Sequence, residues 1–384
     1  MKLALFAPDP NENNGVSAYA EAFECALIKA GIDVIRPFLD DGYASEDVAE
    51  FLRKNKVDIA HFEMGGGRTR EFIAAEVLAL SKNPPQISLT IHDPERIVWR
   101  LNYFSKITAL SPHFQQLVAL LSSRFTLWRE RRLAKRANLL VTLTESGRQA
   151  LMSRMHLQAD KVVTVAHGCW LADFKEVNIE PLRLLSFGYL YRGKGLEDLL
   201  KAFAELLAKN PDYRQKLALT FAGGTNPELT IQGKNSYVAE LKALALELGV
   251  SELVDYQTDL PDEEIPNLIQ SHSVVILPYQ QSKKLQLLGT LKGASGALAR
   301  AVGCGRGVIS SNARAFPEEI AHGIGDIYDA GNIGALCDVL QQLVDDPERA
   351  RSWSEAALSL AEQRSWENTA QQFYRLYSGL VSQA

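Results

Sequence analysis

Twice along the chain, a series of short runs rich in Val, Ile and Leu alternates with segments of helical period. That alternation restricts the fold more than any other feature, because such runs joined by crossover helices form parallel sheets covered on both faces. The first series predicts strands at Lys2 to Phe6, Val34 to Phe38, Ile59 to Phe62, Gln86 to Ile91, Leu139 to Leu143 and Val162 to Ala166. A helix over Val16 to Lys29 follows the first of them and stops at Gly31, a residue suited to the left-handed helix cap. The second series predicts strands at Leu182 to Phe187, Leu217 to Ala222, Val254 to Tyr256, Val274 to Leu277 and Gly307 to Ser310. Two series of similar length, joined near residues 169 to 180, predict an α/β protein of two Rossmann-like domains facing each other, 1–170 and 171–365. A last helix around Trp366 to Leu380 comes after the second series is complete, within residues 366–384.

Size and composition agree with that division. A chain of 384 residues is too long for one small core, and 46% hydrophobic with 23% charged residues excludes a disordered or collagen-like protein. The apolar runs are of strand length, far short of the roughly 20 residues a spanning helix needs, and the start reads as a first strand and not as a signal peptide. Cys25, Cys169, Cys304 and Cys337 are scattered without metal-ligand spacing, which suits a reducing, cytoplasmic home. The net charge of −5 argues against a general nucleic-acid binder. Residues 90 to 170 nonetheless carry 12 basic and five acidic side chains, so a local basic face could meet an anionic membrane or acceptor.

Several segments could carry chemistry. Asn13-Asn14-Gly15-Val16-Ser17 opens a helix directly after the first strand, where free N–H groups and the helix dipole suit an anion; an ordinary βα turn fits equally well. Gly188-Tyr189-Leu190-Tyr191-Arg192-Gly193-Lys194-Gly195 ends the first strand of the second series. Its two cations on a glycine-rich loop would neutralise a diphosphate, Lys194 as a point charge and Arg192 as a fork, and a solvated charged loop is the alternative. Ser295 and Gly296 stand where a helix should begin, followed by small residues that permit close helix–sheet packing with no ligand at all. His92 in Thr90-Ile91-His92-Asp93 lies at a strand's carboxyl end, the edge where open α/β sheets bind ligands, although a lone histidine is often structural. His167 closes the sixth strand at that edge and could line a cleft or serve a hinge. Trp128 to Arg136 would form a strongly basic helix, with Arg129, Arg131, Arg132, Lys135 and Arg136 as a lipid-facing surface or a merely solvated one. No HExxH or acidic cluster suggests a bound metal.

Taken in order, these segments resemble the family 4 glycosyltransferases, retaining enzymes of the GT-B fold, over nearly the whole chain. Asn14-Gly15-Val16-Ser17 is similar to the family's Gly-Gly-Val/Ile turn, and Thr90-Ile91-His92-Asp93 to its Thr-x-His-Asp strand end. Leu143-Thr144-Glu145-Ser146 and Val165-Ala166-His167-Gly168 resemble its passage into the linker. Gly188 to Gly195 resembles its Gly-x-x-x-x-x-Lys-Gly loop, Asp262 to Ile265 with Val274 to Tyr279 the stretch before its donor site, and Ser365-Trp366-Glu367 the start of its final helix.

The resemblance implies a nucleotide-sugar donor held mainly by the second domain, a glycan, lipid-linked or small-molecule acceptor held by the first, and a cleft between them. It places the donor diphosphate on Lys194 with Arg192 as helper, near Gly188, Ser295 and Gly296, and brings Gly15 and Val16 to the same phosphates, with Asn14, His167 and Lys292 as further cleft residues. It makes His92 the contact to the transferred sugar. It also implies retention of configuration, no metal or other cofactor, and a role in cell-surface polysaccharide or glycolipid synthesis.

One departure stands out. The family carries two glutamates spaced by seven residues ahead of its Ala-x-x-x-Gly helix, and the alignment puts Lys292 and Arg300 in their places. A subgroup replaces the first glutamate region with Ser-Gly, as Ser295-Gly296 does. The second glutamate accepts hydrogen bonds from ribose, whereas Arg300 can only donate. Tyr189 likewise replaces an arginine common after the loop's first glycine. Either the donor is bound differently, with Arg300 on a phosphate, or the chain is a degenerate GT-B protein that binds a nucleotide, glycan or partner; a phosphorylase is a further alternative. A nicotinamide dehydrogenase is disfavoured, since neither half has GxGxxG after its first strand.

Overall fold

Strands buried on both faces read as unbroken apolar runs, and that is the environment the second-structure pattern meets in this protein. In the computed structural model, residues 1–9, 12, 14–37, 45–98, 123–225, 237–281 and 292–382 are described. They divide into two units: Met1–Ala166 with Lys292–Ala294 and Trp366–Ala384, and His167–Leu291 with Ser295–Ser365.

The first unit runs β1 (Lys2–Phe6), α1 (Gly15–Lys29), β2 (Asp33–Ile35), α2 (Ser45–Lys54), β3 (Ile59–Met64), α3 (Thr69–Leu78), β4 (Gln86–Ile91), α4 (Ser123–Arg136), β5 (Leu139–Thr142), α5 (Glu145–Met155) and β6 (Val162–Thr164). All six strands are parallel, in the order β2-β1-β3-β4-β5-β6. Successive residues of β1 feed opposite layers: Ala4 and Phe6 join the core under α2 and α3, Leu3 and Leu5 the core under α1. Phe6 stacks on Phe62 at 4.2 Å between ring centroids, both fully buried, each contributing about 2–3 kcal/mol of transfer energy. The strand predicted over Val34 to Phe38 ends at Ile35; Pro37, two residues on, has no N–H for a ladder, and Phe38 lies outside the described residues. The predicted cap at Gly31 has φ +87°, the left-handed value that glycine adopts at no steric cost.

The second unit runs β7 (Leu182–Phe187), α6 (Leu196–Lys209), β8 (Leu217–Gly223), α7 (Tyr237–Glu247), β9 (Val254–Thr258), α8 (Ile265–Gln270), β10 (Val274–Leu277), α9 (Gly296–Gly303), β11 (Gly307–Ser311), α10 (Phe316–Ile320), β12 (Gly325–Tyr328), α11 (Ile333–Asp345) and α12 (Glu348–Gln363). Its sheet is also all parallel, ordered β12-β11-β10-β7-β8-β9. The sequence did not announce β12: four residues with one aliphatic side chain, on the sheet edge, carry no apolar-run signal. Residues 167–170 group with this unit because Cys169 bridges to Ser365 and donates its N–H to the Arg364 carbonyl at 2.7 Å.

The last helix, α13 (Trp366–Ser382), returns to the first unit. There Phe373 meets Phe23 of α1 at 4.6 Å and Tyr377 reaches the buried His61. In each sheet the strand order reverses once, between β1 and β3 in the first unit and between β7 and β10 in the second. At such switch points the loops leaving the carboxyl ends diverge and leave a crevice for a ligand.

Candidate active site

In the second unit, the loops after β7 and β10 flank the switch point, and the glycines of the predicted Lys194 loop are demanded by backbone contact. Gly188 (φ +128°) donates its N–H to Ala222 at 3.0 Å, and a Cβ on Gly223 would overlap the Gly188 carbonyl. Gly195 (φ +75°) lies so close to Pro278 that a side chain there would overlap its carbonyl oxygen. Leu190 bonds to Gly224 at 3.0 Å and Gln280 to Gly193 at 3.2 Å, so the loop is sewn to both neighbouring segments.

This stitching delivers Lys194. Its ammonium lies 3.5 Å from the ring centroid of Tyr279, the second residue after β10, and 5.2 Å from that of Tyr191. Burial disfavours the charged amine and brings its pKa down to about 7, with the Arg314 guanidinium adding in the same direction. Arg314 follows β11, has φ +54°, and holds its guanidinium 5.6 Å from the same Tyr279 ring. Two cations therefore converge on one buried aromatic, and the sequence reading missed the second. Its signal was a cation shortly after a strand's carboxyl end, legible only once the sheet order puts β11 beside β10.

Arg192, the expected helper, points elsewhere: it pairs with Glu240, lies over Tyr237 at 5.6 Å, and its side chain is 68% exposed. Ser295 caps α9, its hydroxyl accepting from Leu298 N–H at 3.4 Å, and a Cβ on Gly296 would come within 3.8 Å of His167 Nε2. His167 donates Nδ1–H to the Gly168 carbonyl at 2.8 Å, beside the start of that helix. Arg300 lies 4.2 Å over the Trp170 ring and pairs with Asp262 at 3.1 Å, so its charge is answered within the unit.

In the first unit, Asn14 caps α1 by accepting from Val16 N–H at 3.1 Å and Ser17 N–H at 2.9 Å. Two of the helix's free donors are thereby used, while a Cβ on Gly15 would meet nothing within 4 Å. The loop Gly65-Gly66-Gly67 after β3 completes this switch point, with Gly65 against Val16 and Gly66 N–H on the Asp93 carboxylate at 2.8 Å. Lys292 touches the unit through its backbone, its carbonyl accepting from Thr144 Oγ1 at 3.0 Å.

His92 is not alone. Its Nε2 lies 2.7 Å from Glu63 Oε2, and Glu63 Oε1 lies 3.1 Å from Nε2 of His61. His61 Nδ1 in turn is 2.9 Å from both Ser88 Oγ and the Tyr377 hydroxyl. His61 and Glu63 alternate with apolar residues on β3, as Ser88 and Thr90 do on β4, and register pairs His61 with Ser88 and Glu63 with Thr90. That alternation was a sequence signal which spacing rules for metal or catalytic clusters overlook.

The basic helix α4 is largely committed to its own unit. Arg129 and Arg132 grip the buried Glu76, Arg129 Nε at 2.9 Å and Arg132 at 2.8 Å. Burial opposes ionisation of Glu76, but the two guanidiniums outweigh it and hold its carboxyl below the ordinary value. Arg131 forks onto the Arg154 carbonyl at 2.9 and 3.0 Å. Of the five predicted lipid-facing cations, Lys135 and Arg136 are the exposed ones.

The family profile described as "Glycosyl transferases group 1" matches residues 172–359. The chain carries a group 1 glycosyl transferase domain. A D-inositol 3-phosphate glycosyltransferase of Corynebacterium aurimucosum is 28% identical over 270 residues, 66% of this chain and 59% of that protein. One from Corynebacterium jeikeium is 31% identical over 195 residues, 50% of this chain and 42% of that protein. The chain thus spans about half the length of the curated relatives it matches. Among solved structures, sucrose-phosphate synthase of Thermosynechococcus elongatus superposes with TM-score 0.73 at 16% identity, covering 100% of both chains. HepE of Anabaena in complex with UDP gives 0.68 at 16%, covering 98% of this chain and 99% of its own. The transferase domain and the unit that precedes it therefore share the GT-B type of fold, two Rossmann-like units each built on a six-stranded parallel sheet. Among the described residues, no helix is long and apolar enough to cross a membrane, and no three His, Cys, Asp or Glu side chains gather to hold a metal.

Proposed function

We propose that the protein is a retaining glycosyltransferase that takes a sugar from a nucleoside diphosphate sugar and passes it to a glycan, lipid-linked or small-molecule acceptor. The observation that carries this reading is the pair Lys194 and Arg314 over Tyr279, at the switch point of the transferase domain's sheet. A diphosphate arriving there meets two cations in a partly desolvated setting, where each charge counts for more than in water. The start of α9 at Gly296 adds backbone donors to an anion. With charge neutralised in this way, the leaving diphosphate needs no metal, and it can take the acceptor's proton as the new bond forms on the face it leaves.

Curated relatives named as D-inositol 3-phosphate glycosyltransferases and the UDP and UDP-glucose complexes of HepE make uridine sugars and polyol or phosphorylated polyol acceptors the first to test. Four free thiols and a nucleotide-sugar donor suit the cytoplasm, with synthesis of a surface polysaccharide or glycolipid as the setting. Any contact with an anionic membrane would fall to Lys135 and Arg136.

One observation favours a second reading: Arg300 stands on Trp170 and Asp262 at the position of a ribose-binding glutamate, which suits a protein that binds nucleotide without turnover. Release of nucleoside diphosphate from UDP-, GDP-, ADP- and TDP-sugars decides between them. Turnover of a donor by the wild type, lost in Lys194→Ala, supports the transferase. Binding without release of product supports the non-catalytic protein.

A further inference from the structure

The buried polar stripe of the first unit has a direction. Glu63 is fully buried and accepts on both oxygens, from His61 on one and His92 on the other. Burial by itself would keep this carboxyl protonated, but the hydrogen bonds of the two histidines, together with the positive charge they carry when protonated, outweigh it and lower its pKa to about 2. An ionised carboxylate has no hydrogen to give, so each ring nitrogen that faces it must carry one. His92 then bears its hydrogen on Nε2. Its Nδ1 makes no hydrogen bond among the described residues. His61 is fixed the same way, its Nδ1 receiving a hydroxyl hydrogen from the Tyr377 and Ser88 pair. The side chain of His92 is 12% exposed, whereas Glu63 and His61 are sealed. His92 is thus the one member of the relay that a ligand can touch.

We propose that Glu63 is a positioning residue that sets His92 in its Nε2–H tautomer, so that Nδ1 accepts a hydrogen bond from a hydroxyl of a bound sugar or polyol. The ligand class rests on the glycosyl-transfer reading; the tautomer does not. Tyr377 of the last helix steadies the relay from its far end by holding His61.

The test uses the full chain labelled with nitrogen-15 histidine, with long-range proton–nitrogen correlation spectra at neutral pH and His92 assigned by its loss in His92→Gln. The expected wild-type pattern is a protonated Nε2 and a bare Nδ1; a hydrogen on Nδ1 overturns the proposal. Glu63→Gln, whose amide can donate where the carboxylate only accepted, should give mixed tautomers. It should also lower kcat about 10- to 100-fold, as loss of an orienting partner does, while KM for the donor stays within about twofold. An unchanged tautomer together with unchanged kcat in Glu63→Gln overturns it as well. Tyr377→Phe leaves Glu63 in place and should shift the His92 signals in the same direction by less, which keeps the test open if Glu63→Gln fails to fold. A correct wild-type tautomer in a protein that turns over no donor would uphold the positioning of His92 and reject glycosyl transfer.

Discussion

The ammonium of Lys194 lies 3.5 Å from the ring centroid of Tyr279 and is partly withdrawn from water. An ordinary lysine is protonated to pH 10 and above, but burial disfavours the charge here and lowers the pKa to about 7. A bound diphosphate favours the ammonium and raises the value again, so binding above pH 7 must take up a proton. Affinity then falls as pH climbs from 7 towards 9, by up to about tenfold per unit. Calorimetric titration of nucleoside diphosphate at pH 8, in Tris and in HEPES, should show uptake of about 0.9 proton for a group with that pKa. Equal heats in the two buffers would mean Lys194 does not meet the anion.

Gly195 and Gly15 should behave oppositely when given a methyl group. Gly195→Ala combines a positive φ with overlap on the Pro278 carbonyl and is expected to displace the Lys194 loop, lowering Tm and abolishing nucleotide binding together. Gly15→Ala meets open space at the first turn of a helix and should leave Tm unchanged or slightly higher. If it also leaves nucleotide affinity alone, Gly15 is a helix start and not a phosphate seat.

Arg300 is expected to owe its place to the ring more than to the carboxylate. Asp262 is 74% exposed, so Asp262→Asn should shift stability by less than about 0.5 kcal/mol. Arg300→Met removes the stack on Trp170 and should cost about 1 kcal/mol. Urea midpoints of the two variants decide it, and equal effects would contradict the ordering.

Glu76 anchors the basic helix. Glu76→Ala leaves two guanidiniums without their partner and should cost about 2 kcal/mol, as should the double variant Arg129→Gln/Arg132→Gln that strands the carboxylate. Lys135→Gln/Arg136→Gln should leave stability within about 0.5 kcal/mol, since both side chains are exposed. Flotation with anionic liposomes is therefore informative only in the second pair; release there would place a lipid contact on this helix, and indifference would remove it.

How much of this was legible in the sequence follows from how local each requirement is. Gly188, Gly195 and Lys194 were readable because a turn that needs positive φ and crosses a neighbouring strand must write its glycines in order. Both sheets, the edge strand β12 excepted, were readable because doubly buried strands leave apolar runs. Arg192 was placed on the diphosphate because it shares that loop, whereas the partner it meets in the structure is Glu240, 48 residues away. Arg314 was invisible for the converse reason: it reaches Tyr279 through strand order and not through spacing. Glu63 was overlooked because its link to His92 crosses a strand pair, where residues 29 apart in the chain become neighbours.

Nucleotide binding by the loop after β7 tests the whole account most directly. Wild type and Lys194→Ala should be melted with UDP, GDP, ADP and TDP, since a ligand that binds only the folded state raises Tm in proportion to its affinity. At least one nucleotide should raise the Tm of the wild type by several degrees and leave Lys194→Ala unmoved. An equal rise in both proteins, or none in either, would contradict the assignment of the Lys194 loop as the seat of the diphosphate.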